Sequence, residues 1–234
     1  MYRDKTISLV IPCHNEEEGL KQLLPKIPDI VDEVLIVDNA STDSTARVAR
    51  ELGARVVEEK RKGYGRAYKT GFKNATGDII ITMDGDGTYP PESISLLLYI
   101  LFEEEGDFIS ARRWRSKSLQ KKNPIRILGN VILSCTMAAL YLCYVVDSQS
   151  GMWVFKKTIL PNIRLTSDGM ALSEEIKIEA FSNKSITALE IPIYYGERIG
   201  DSKLNLWKDG FLNLAFLLRK KPTVGAAQTS ARLL

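Results

Sequence analysis

The first half of the chain alternates short apolar segments, rich in valine and isoleucine, with segments of helical pattern. The apolar segments predict β-strands at 6–15, 32–41, 54–59 and 77–83. Helices are predicted at 16–27 and 42–53, and a loop at 60–71. Strand–helix alternation at this spacing predicts an α/β fold with a mostly parallel, doubly wound, Rossmann-like sheet flanked by helices. In such sheets, ligands bind beyond the carboxyl ends of the strands.

Polar clusters follow three of these strands, at the edge where a ligand is expected. They are His14-Asn15-Glu16, Asp38-Asn39 and Asp84-Gly85-Asp86. Two carboxylates one residue apart can bind one Mg²⁺ or Mn²⁺ ion whose remaining ligands are phosphate oxygens. The glycine between them lets a diphosphate approach the backbone closely. A simple Asp-Gly turn is the alternative, but three converging polar clusters favour a nucleotide diphosphate site.

Composition limits the class of protein. With 234 residues, 44% of them hydrophobic, the chain is long enough for one α/β domain. The net charge of +3 is too small to indicate nucleic-acid binding. Three cysteines without paired spacing predict no disulfide framework and fit a reducing compartment. The chain enters a predicted strand almost at once, so we expect no signal peptide and a cytoplasmic location.

A series of motifs over residues 5–220 resembles one known family. In chain order they include VIPCHNEEEGL, VDNASTDST, GYGRAYKTGF, MDGDGTYPP, DSQSGMWVF and EIPIYYGERIGDSKLN. Together they resemble the family 2 glycosyltransferases, and within that family the dolichyl-phosphate mannose or glucose synthases and their archaeal relatives. The resemblance implies a GT-A fold and an inverting, metal-dependent enzyme. Its donor would be a UDP- or GDP-linked hexose and its acceptor dolichyl or polyprenyl phosphate.

The resemblance also implies roles for individual residues. The nucleotide-sugar would contact Pro12, Asn15, Glu16, Asp38, Gly63, Arg66, Asp84 and Asp86. The Mg²⁺ or Mn²⁺ ion would be held by Asp84 and Asp86, with Thr88 where these synthases often have a glutamine; a hydroxyl or a water would replace that ligand. The acceptor phosphate would be bound by Arg112, Arg126, Arg198, Ser202 and Lys203. Arg113 and Arg115 are assigned to surface ion pairs.

The choice of acceptor decides whether a catalytic base is needed. A lipid phosphate is already ionised near neutral pH, so it needs alignment and charge screening from arginines and a cation rather than a base. A glycan hydroxyl, the alternative acceptor, must lose a proton. Glu174 and Glu175 match an acidic pair near the reacting sugar, and Glu175 or Asp147 is then the candidate base. Two exposed helix residues are the other interpretation of that pair. A nucleotide-sugar-binding protein without turnover is a third possibility.

Two segments bear on a membrane. The segment 127–146 is nearly uncharged and of transmembrane length. A single span there would separate the donor motifs from the motifs that follow, so we expect a helix buried against the sheet or lying partly in the interface, with Cys135 and Cys143 as apolar fillers. The segment 204–221 reads as an interfacial helix or a core helix. With six basic residues between 112 and 122, these segments predict peripheral association with the cytoplasmic face of a membrane.

These expectations give one domain with two halves. Residues 1–221 are expected to form the GT-A domain, with the nucleotide-sugar-binding half at 1–110 and the acceptor half at 111–221. Residues 222–234 are small and polar and show no periodicity, so they are expected to be a disordered tail or a remnant of cloning.

Overall fold

The structure, a computed structural model, describes residues 1–114, 124–200, 206–220 and 232–233. The side chains at positions 124, 126, 206, 232 and 233 lie outside the description. The predicted acceptor residues Ser202 and Lys203, Arg115, most of the basic run and nearly all of the tail therefore lie outside the described residues. Of Arg126, only its position in a helix is described.

One mixed β-sheet forms the centre of the described chain. Its strands are β1 (Ile7–Cys13), β2 (Glu33–Asp38), β3 (Arg55–Glu58), β4 (Ile79–Thr82), β5 (Phe108–Trp114), β6 (Trp153–Lys156), β7 (Ala188–Tyr194) and the two-residue β8 (Arg232–Leu233). Their order across the sheet is β3-β2-β1-β4-β6-β5-β7-β8. Among the described strands of the sheet, only β6 pairs antiparallel, with β4 on one side and β5 on the other. The predicted mostly parallel mixed sheet is confirmed.

Helices cover both faces of this sheet. They are α1 (Glu17–Leu23), α2 (Thr45–Glu51), α3 (Tyr64–Asn74), α4 (Ser93–Glu103), α5 (Pro124–Tyr141), α6 (Leu172–Ser182) and α7 (Leu206–Arg219), with 3-10 helices at Leu24–Lys26 and Lys157–Asn162. One apolar core lies under α1, α2 and α4, and the other lies under α3, α5, α6 and α7. Two cores on opposite faces are what alternating strand side chains and crossover helices produce.

The predicted loop at 60–71 is wrong over most of its length, because α3 begins at Tyr64. Its glycines are what suggested a loop. In the structure they allow close packing instead: a Cβ on Gly71 would lie 2.3 Å from Val10 Cγ1, and one on Gly65 would lie 2.5 Å from the Ser167 carbonyl oxygen. The helix therefore packs directly on β1 and on the loop around residue 167, and the contact is made possible by the missing side chains.

The long apolar segment forms α5, which ends at Tyr141 rather than at residue 146. Leu133 and Met137 face the core, whereas other apolar side chains of the helix are exposed. Cys143, after the helix, is buried as predicted, but the prediction for Cys135 is wrong because this residue is on the exposed side. No helix in the described part of the chain combines the length and apolarity that a bilayer crossing requires.

Helix α7 has two contrasting faces. Trp207 and Phe211 are 75% and 71% exposed, while Leu217 is fully buried in the core under α3, α5 and α6. The hydroxyl of Tyr141 on α5 donates to the Leu217 carbonyl and, at 2.8 Å, to the Lys220 carbonyl. These contacts attach the C-terminal end of α7 firmly to the body of the protein.

Candidate functional site

A cavity of about 510 Å³ lies beyond the carboxyl ends of β1, β2 and β4. The register of the sheet places these ends side by side, since Cys13 is opposite Asp38 and Val10 is opposite Thr82. The residues that line the cavity include Pro12, His14, Glu16, Asn39, Lys62, Gly63, Tyr64, Asp84, Asp86, Met170, Arg198, Asp209, Leu212, Asn213 and Phe216. The three polar clusters of the sequence thus contribute to one site, with helix α7 as an additional wall.

Asp86 is a buried carboxylate at the end of β4, only 2% exposed. Its Oδ1 accepts hydrogen bonds from the Thr88 backbone N–H at 3.0 Å and from the Thr88 hydroxyl at 2.6 Å. Its Oδ2 lies 2.5 Å from Nη2 of Arg198. The segment carrying Arg198 is held to the same turn, because the Gly196 and Ile199 N–H groups donate to the carbonyls of Thr88 and Asp86. Thr88 therefore orients Asp86.

Asp84 faces the cavity beside Asp86. Burial, followed by the charge of Asp86, raises the pKa of Asp84 to about 7, although the guanidinium groups of Arg198 and Arg113 act in the opposite direction. The hydroxyls of Tyr64 and Tyr68 lie 3.4 Å from its Oδ1. Two carboxylates that repel each other in a buried setting are stabilised by a cation between or beside them.

The donor groups present fit a divalent ion. Within the described residues no group of three or more His, Cys, Asp or Glu side chains is placed to hold a metal. Asp84 and Asp86 would therefore supply two carboxylates and leave the other positions to ligand oxygens and water, which is how Mg²⁺ is commonly bound beside phosphates. In the structure, the Arg198 guanidinium provides the positive charge next to Asp86.

The far end of the cavity is organised by Asn39. Its Nδ2 donates to the carbonyls of Glu59 and Arg61, and its Oδ1 accepts the Gly63 N–H at 2.8 Å. Nδ1 of His14 lies 2.9 Å from the Asn39 carbonyl oxygen. This network fixes the loop before α3, so that Gly63 borders the cavity.

Three of the residues predicted to contact the nucleotide-sugar do not line the cavity. The side chains of Asn15 and Asp38 hold adjacent loops, through bonds from the Thr42 N–H and the Ser41 N–H respectively. Arg66 forms an ion pair with Asp168. Pro12, Glu16, Gly63, Asp84 and Asp86 do line the cavity. The structure thus brings together five of the eight residues assigned to the nucleotide-sugar.

Arg113 is not the surface residue that was predicted. Its side chain is 22% exposed, and it binds Asp147 through two hydrogen bonds of 2.6 Å, from Nε and from Nη2. Burial opposes the ionised form of Asp147, but the Arg113 guanidinium outweighs it and lowers the pKa of this carboxyl to about 2. Asp147 is therefore paired and strongly acidic, which makes it a poor proton acceptor.

The turn that follows Asp147 is held by a buried lysine. Lys177 of α6 is fully buried, and its Nζ donates to the carbonyls of Asp147, Ser148 and Ser150 at 2.8–2.9 Å. Burial lowers the pKa of Lys177 to about 8. The next residue, Gly151, lies against the cavity carboxylate, since a Cβ there would be 2.4 Å from the Tyr64 hydroxyl and 3.3 Å from Asp84 Oδ1.

Glu174 and Glu175 are both fully buried, so their interpretation as exposed helix residues is wrong. Glu174 accepts a bond from Gln149 Nε2 at 2.6 Å, and burial raises its pKa to about 8. Glu175 accepts hydrogen bonds from the backbone N–H groups of Thr166 and Ser167, from the Thr166 hydroxyl and from Lys220. Neither carboxylate lines the cavity.

Among the predicted acceptor residues with described side chains, Arg198 reaches the cavity and Arg112 does not. Arg112 points to the opposite side of β5 from Arg113, and its guanidinium lies 5.1 Å from the centre of the Trp114 ring. The cavity is also lined by four residues that the sequence did not single out: Lys62, Tyr64, Asp209 and Asn213. The four-residue spacing of Asp209 and Asn213, which places both on one face of a helix, could have indicated the last two.

The fold is the GT-A fold, which the chain shares with solved glycosyltransferase structures. A solved structure of glucosyl-3-phosphoglycerate synthase from Mycobacterium tuberculosis, in complex with Mn²⁺, uridine diphosphate and phosphoglyceric acid, has a TM-score of 0.74 and 24% identity, and the match covers 92% of this chain and 78% of that chain. The same enzyme with Mg²⁺ and uridine diphosphate has a TM-score of 0.71 and 22% identity, over 92% of this chain and 79% of that chain. At these identities the similarity concerns the fold.

The chain belongs to glycosyl transferase family 2, whose profile matches residues 8–163. A dolichyl-phosphate hexose transferase of Haloferax volcanii is 30% identical over 212 residues, covering 89% of this chain and 91% of the relative. The low-salt glycan biosynthesis hexosyltransferase Agl6 of the same organism is 32% identical over 224 residues, covering 93% of this chain and 54% of the relative. The chain thus spans about half the length of Agl6, and the predicted family is confirmed.

Proposed function

We propose that this glycosyltransferase moves a hexose from a UDP- or GDP-linked donor to dolichyl or polyprenyl phosphate, with inversion and with the help of Mg²⁺ or Mn²⁺. The observation that carries the proposal is the meeting of Asp84, Asp86 and Arg198 in one cavity. Two carboxylates suit a cation bound to a diphosphate, and an arginine beside them suits a second phosphate. The relative of similar length is named as a dolichyl-phosphate hexose transferase.

The proposed reaction is a direct displacement at the anomeric carbon of the sugar. An oxygen of the lipid phosphate forms the new bond to this carbon, while the bond to the β-phosphate oxygen breaks and the nucleoside diphosphate leaves. The ionised phosphate carries no proton that must be removed, so no general base is required. The bound ion would screen the negative charge of the leaving diphosphate. The chain's own contribution is to hold the donor at the strand ends and to offer Arg198 to the acceptor.

The surroundings of the candidate bases support a phosphate acceptor. Asp147 is engaged by Arg113, and Glu175 is enclosed by hydrogen-bond donors outside the cavity. Glu174 is buried behind Gln149. None of these three carboxylates lines the cavity, whereas Arg198 does, and this difference supports a phosphate acceptor.

The test is a transfer assay with radiolabelled UDP- and GDP-sugars, dolichyl phosphate and Mg²⁺ or Mn²⁺, with and without a chelator. A product that partitions into organic solvent, and that disappears with the chelator, is the expected result and identifies the donor at the same time. Nucleotide-sugar binding without a lipid product, under conditions where the metal is present, would contradict the proposed acceptor.

A hydroxyl acceptor is the second candidate, and one observation favours it. Asp209 of α7 adds a carboxylate to the cavity wall, where it could serve as a general base. The two candidates differ in the effect of Asp209→Asn. Transfer to dolichyl phosphate should retain most of its rate in this variant, whereas transfer to a glycan hydroxyl should fall about a hundredfold or more.

We further propose that the protein lies on the cytoplasmic face of a membrane. The outer sides of α5 and α7 expose large apolar residues, among them Ile127, Leu128, Val131, Trp207 and Phe211. A surface of this kind is typical of helices that bury one face at the lipid boundary. When Trp207 and Phe211 are both replaced by serine, most of the binding to anionic vesicles should be lost. The fraction of protein that sediments with the vesicles measures this loss. Unchanged vesicle binding of that variant would contradict the proposal that α5 and α7 form the membrane-binding surface.

A further inference from the structure

Asn213 is a buried polar residue on the cavity side of α7, and it is not among the site residues predicted from the sequence. It is 3% exposed and it lines the cavity. Its Nδ2 donates to Gln149 Oε1 at 2.9 Å. Gln149 in turn donates from Nε2 to Glu174 Oε1 at 2.6 Å. The orientation of the Asn213 amide is therefore set by a chain of hydrogen bonds that ends in α6.

This arrangement leaves part of the amide for a ligand. The bond to Gln149 uses one of the two Nδ2 hydrogens. In the part of the chain that the structure describes, no hydrogen bond to Asn213 Oδ1 is found. One N–H and one carbonyl oxygen together match a group that both donates and accepts. A sugar hydroxyl does both, whereas an ionised phosphate only accepts.

The neighbouring wall fits the same kind of ligand. Leu212, Phe216 and Met170 are apolar residues that line the cavity together with Asn213. Asp86, which suits the cation of a metal-bound diphosphate, belongs to the turn after β4. Arg198, which suits a second phosphate, belongs to the segment after β7. An uncharged ring with hydroxyls suits an apolar wall that carries one amide.

We propose that Asn213 binds a hydroxyl of the transferred hexose and that Gln149, held by Glu174, positions its amide. This inference rests on the proposed function, because it assumes a nucleotide-sugar in the cavity. It assigns Asn213 as a residue that contacts the donor and Gln149 as a positioning residue. A site that hydrogen-bonds a substrate hydroxyl discriminates between sugars because an unmatched sugar leaves buried polar groups unpaired.

The test compares binding of the nucleotide with binding of the nucleotide-sugar. Calorimetry in the presence of Mn²⁺, without acceptor, would measure Kd for UDP, GDP, UDP-glucose, UDP-N-acetylglucosamine and GDP-mannose. For Asn213→Ala, the Kd of the nucleotide-sugar that the wild type prefers should rise about five- to tenfold, the loss of about one hydrogen bond. The Kd of the matching free nucleotide should stay within about twofold.

Gln149→Met guards against a folding defect in the first variant. It leaves Asn213 in place and removes its support, together with the bond that Gln149 donates to Glu174. The nucleotide-sugar Kd should rise about threefold, again without a change for the free nucleotide. Asn183→Ala, at the far end of α6, removes an amide that holds a local turn and is the matched control. Melting curves of all variants would show that each one folds.

The outcomes separate this inference from the function on which it rests. If the wild-type protein binds no nucleotide-sugar, the proposed function fails and this inference fails with it. A different outcome is that the wild type binds a nucleotide-sugar, but both variants weaken the binding of nucleotide and nucleotide-sugar equally, or weaken neither. Asn213 then does not contact the sugar, and only this inference is overturned.

Discussion

The chain up to residue 110 and the chain from residue 111 onward use charge in different ways. Among the buried charged side chains of the described residues, the first region contributes Asp86. The second region contributes Asp147, Glu174, Glu175, Lys177, Glu179 and Glu190. Asp86 sits at the cavity, whereas most of the second set binds other parts of the protein, as when Glu190 accepts the N–H groups of Val146 and Asp147.

This contrast teaches how the two regions are stabilised. Parallel strands and apolar helix faces hold the first region together, so its polar groups can be left for a ligand. The second region has long loops whose backbone groups need partners, and buried side chains such as Lys177 and Glu175 supply them. A buried charge in the first region should therefore matter for activity, and one in the second region for stability.

The largest expected effect is on activity in the first region. Asp86→Ala removes a carboxylate proposed to hold the metal, so transfer should fall about a thousandfold, equivalent to about 4 kcal/mol. The free energy of unfolding should change by less than about 1 kcal/mol, because the repulsion with Asp84 also disappears. The measurements are the transfer assay and urea unfolding, with Asp78→Asn, an exposed carboxyl outside the cavity, as control. If Asp86→Ala retained activity but unfolded at lower urea concentration, Asp86 would matter for stability rather than for activity, contrary to this prediction.

The second effect is on stability in the second region. Lys177→Met fills a similar volume but removes a buried donor shared by three carbonyls. The Ser150 carbonyl keeps the Trp153 Nε1–H and the Asp147 carbonyl keeps the Ser150 N–H, whereas the buried Ser148 carbonyl keeps no donor among the described residues. The free energy of unfolding should therefore fall by about 2 kcal/mol. Urea unfolding measures it. Lys21→Met is the matched control, because this lysine is exposed on α1 and its surface ion pair with Glu18 should contribute little to stability. Equal stability of the two variants would show that Lys177 is not structural.

The third effect is a pH dependence, which is the smallest when counted for each pH unit. The pKa of Glu174 is about 8 in the folded protein, against an ordinary value of 4.5, because the carboxyl is buried. Between these values the native state keeps a proton that the unfolded chain has released, so the free energy of unfolding falls as pH rises, by up to about 1.4 kcal/mol per pH unit. Glu174→Gln cannot titrate, so its stability relative to the wild type should improve steadily from pH 5 to pH 8.

Urea unfolding of both proteins at several pH values measures this difference. The comparison isolates Glu174 from Asp84, whose raised pKa of about 7 acts in the same direction in both proteins. Parallel stability curves would mean that Glu174 is ionised in the native state and that its burial is compensated by partners other than Gln149.

The sequence predicted those parts of the fold and of the site that depend on short, contiguous segments. Apolar strands that end in polar residues predicted the sheet, and the parallel arrangement alone placed Asp84 and Asp86 beside Glu16. The same reasoning failed at α3, because glycines that suggest a loop also permit close helix packing. At Gly71 the reason for the glycine is the close approach to Val10, which is visible only in the folded structure.

Roles that depend on distant partners were not predictable in this way. Arg112 and Arg113 are neighbours in sequence, but alternation along β5 sends them to opposite faces, and Asp147 is 34 residues away from the arginine it binds. Asn213 likewise depends on Gln149, which is 64 residues away. No periodicity in a single sequence marks such pairs.

The position of β6 has a consequence for how the protein is made. This strand lies between β4 and β5 in the sheet, yet the ribosome produces it after both. While the segment between β5 and β6 is synthesised, which takes a few seconds at about 5–20 residues per second, the facing edges of β4 and β5 have no strand between them. Such open edges are sites of aggregation. A nascent chain halted just before Trp153 should therefore depend on chaperones, and one that has released Lys156 from the exit tunnel should depend on them far less.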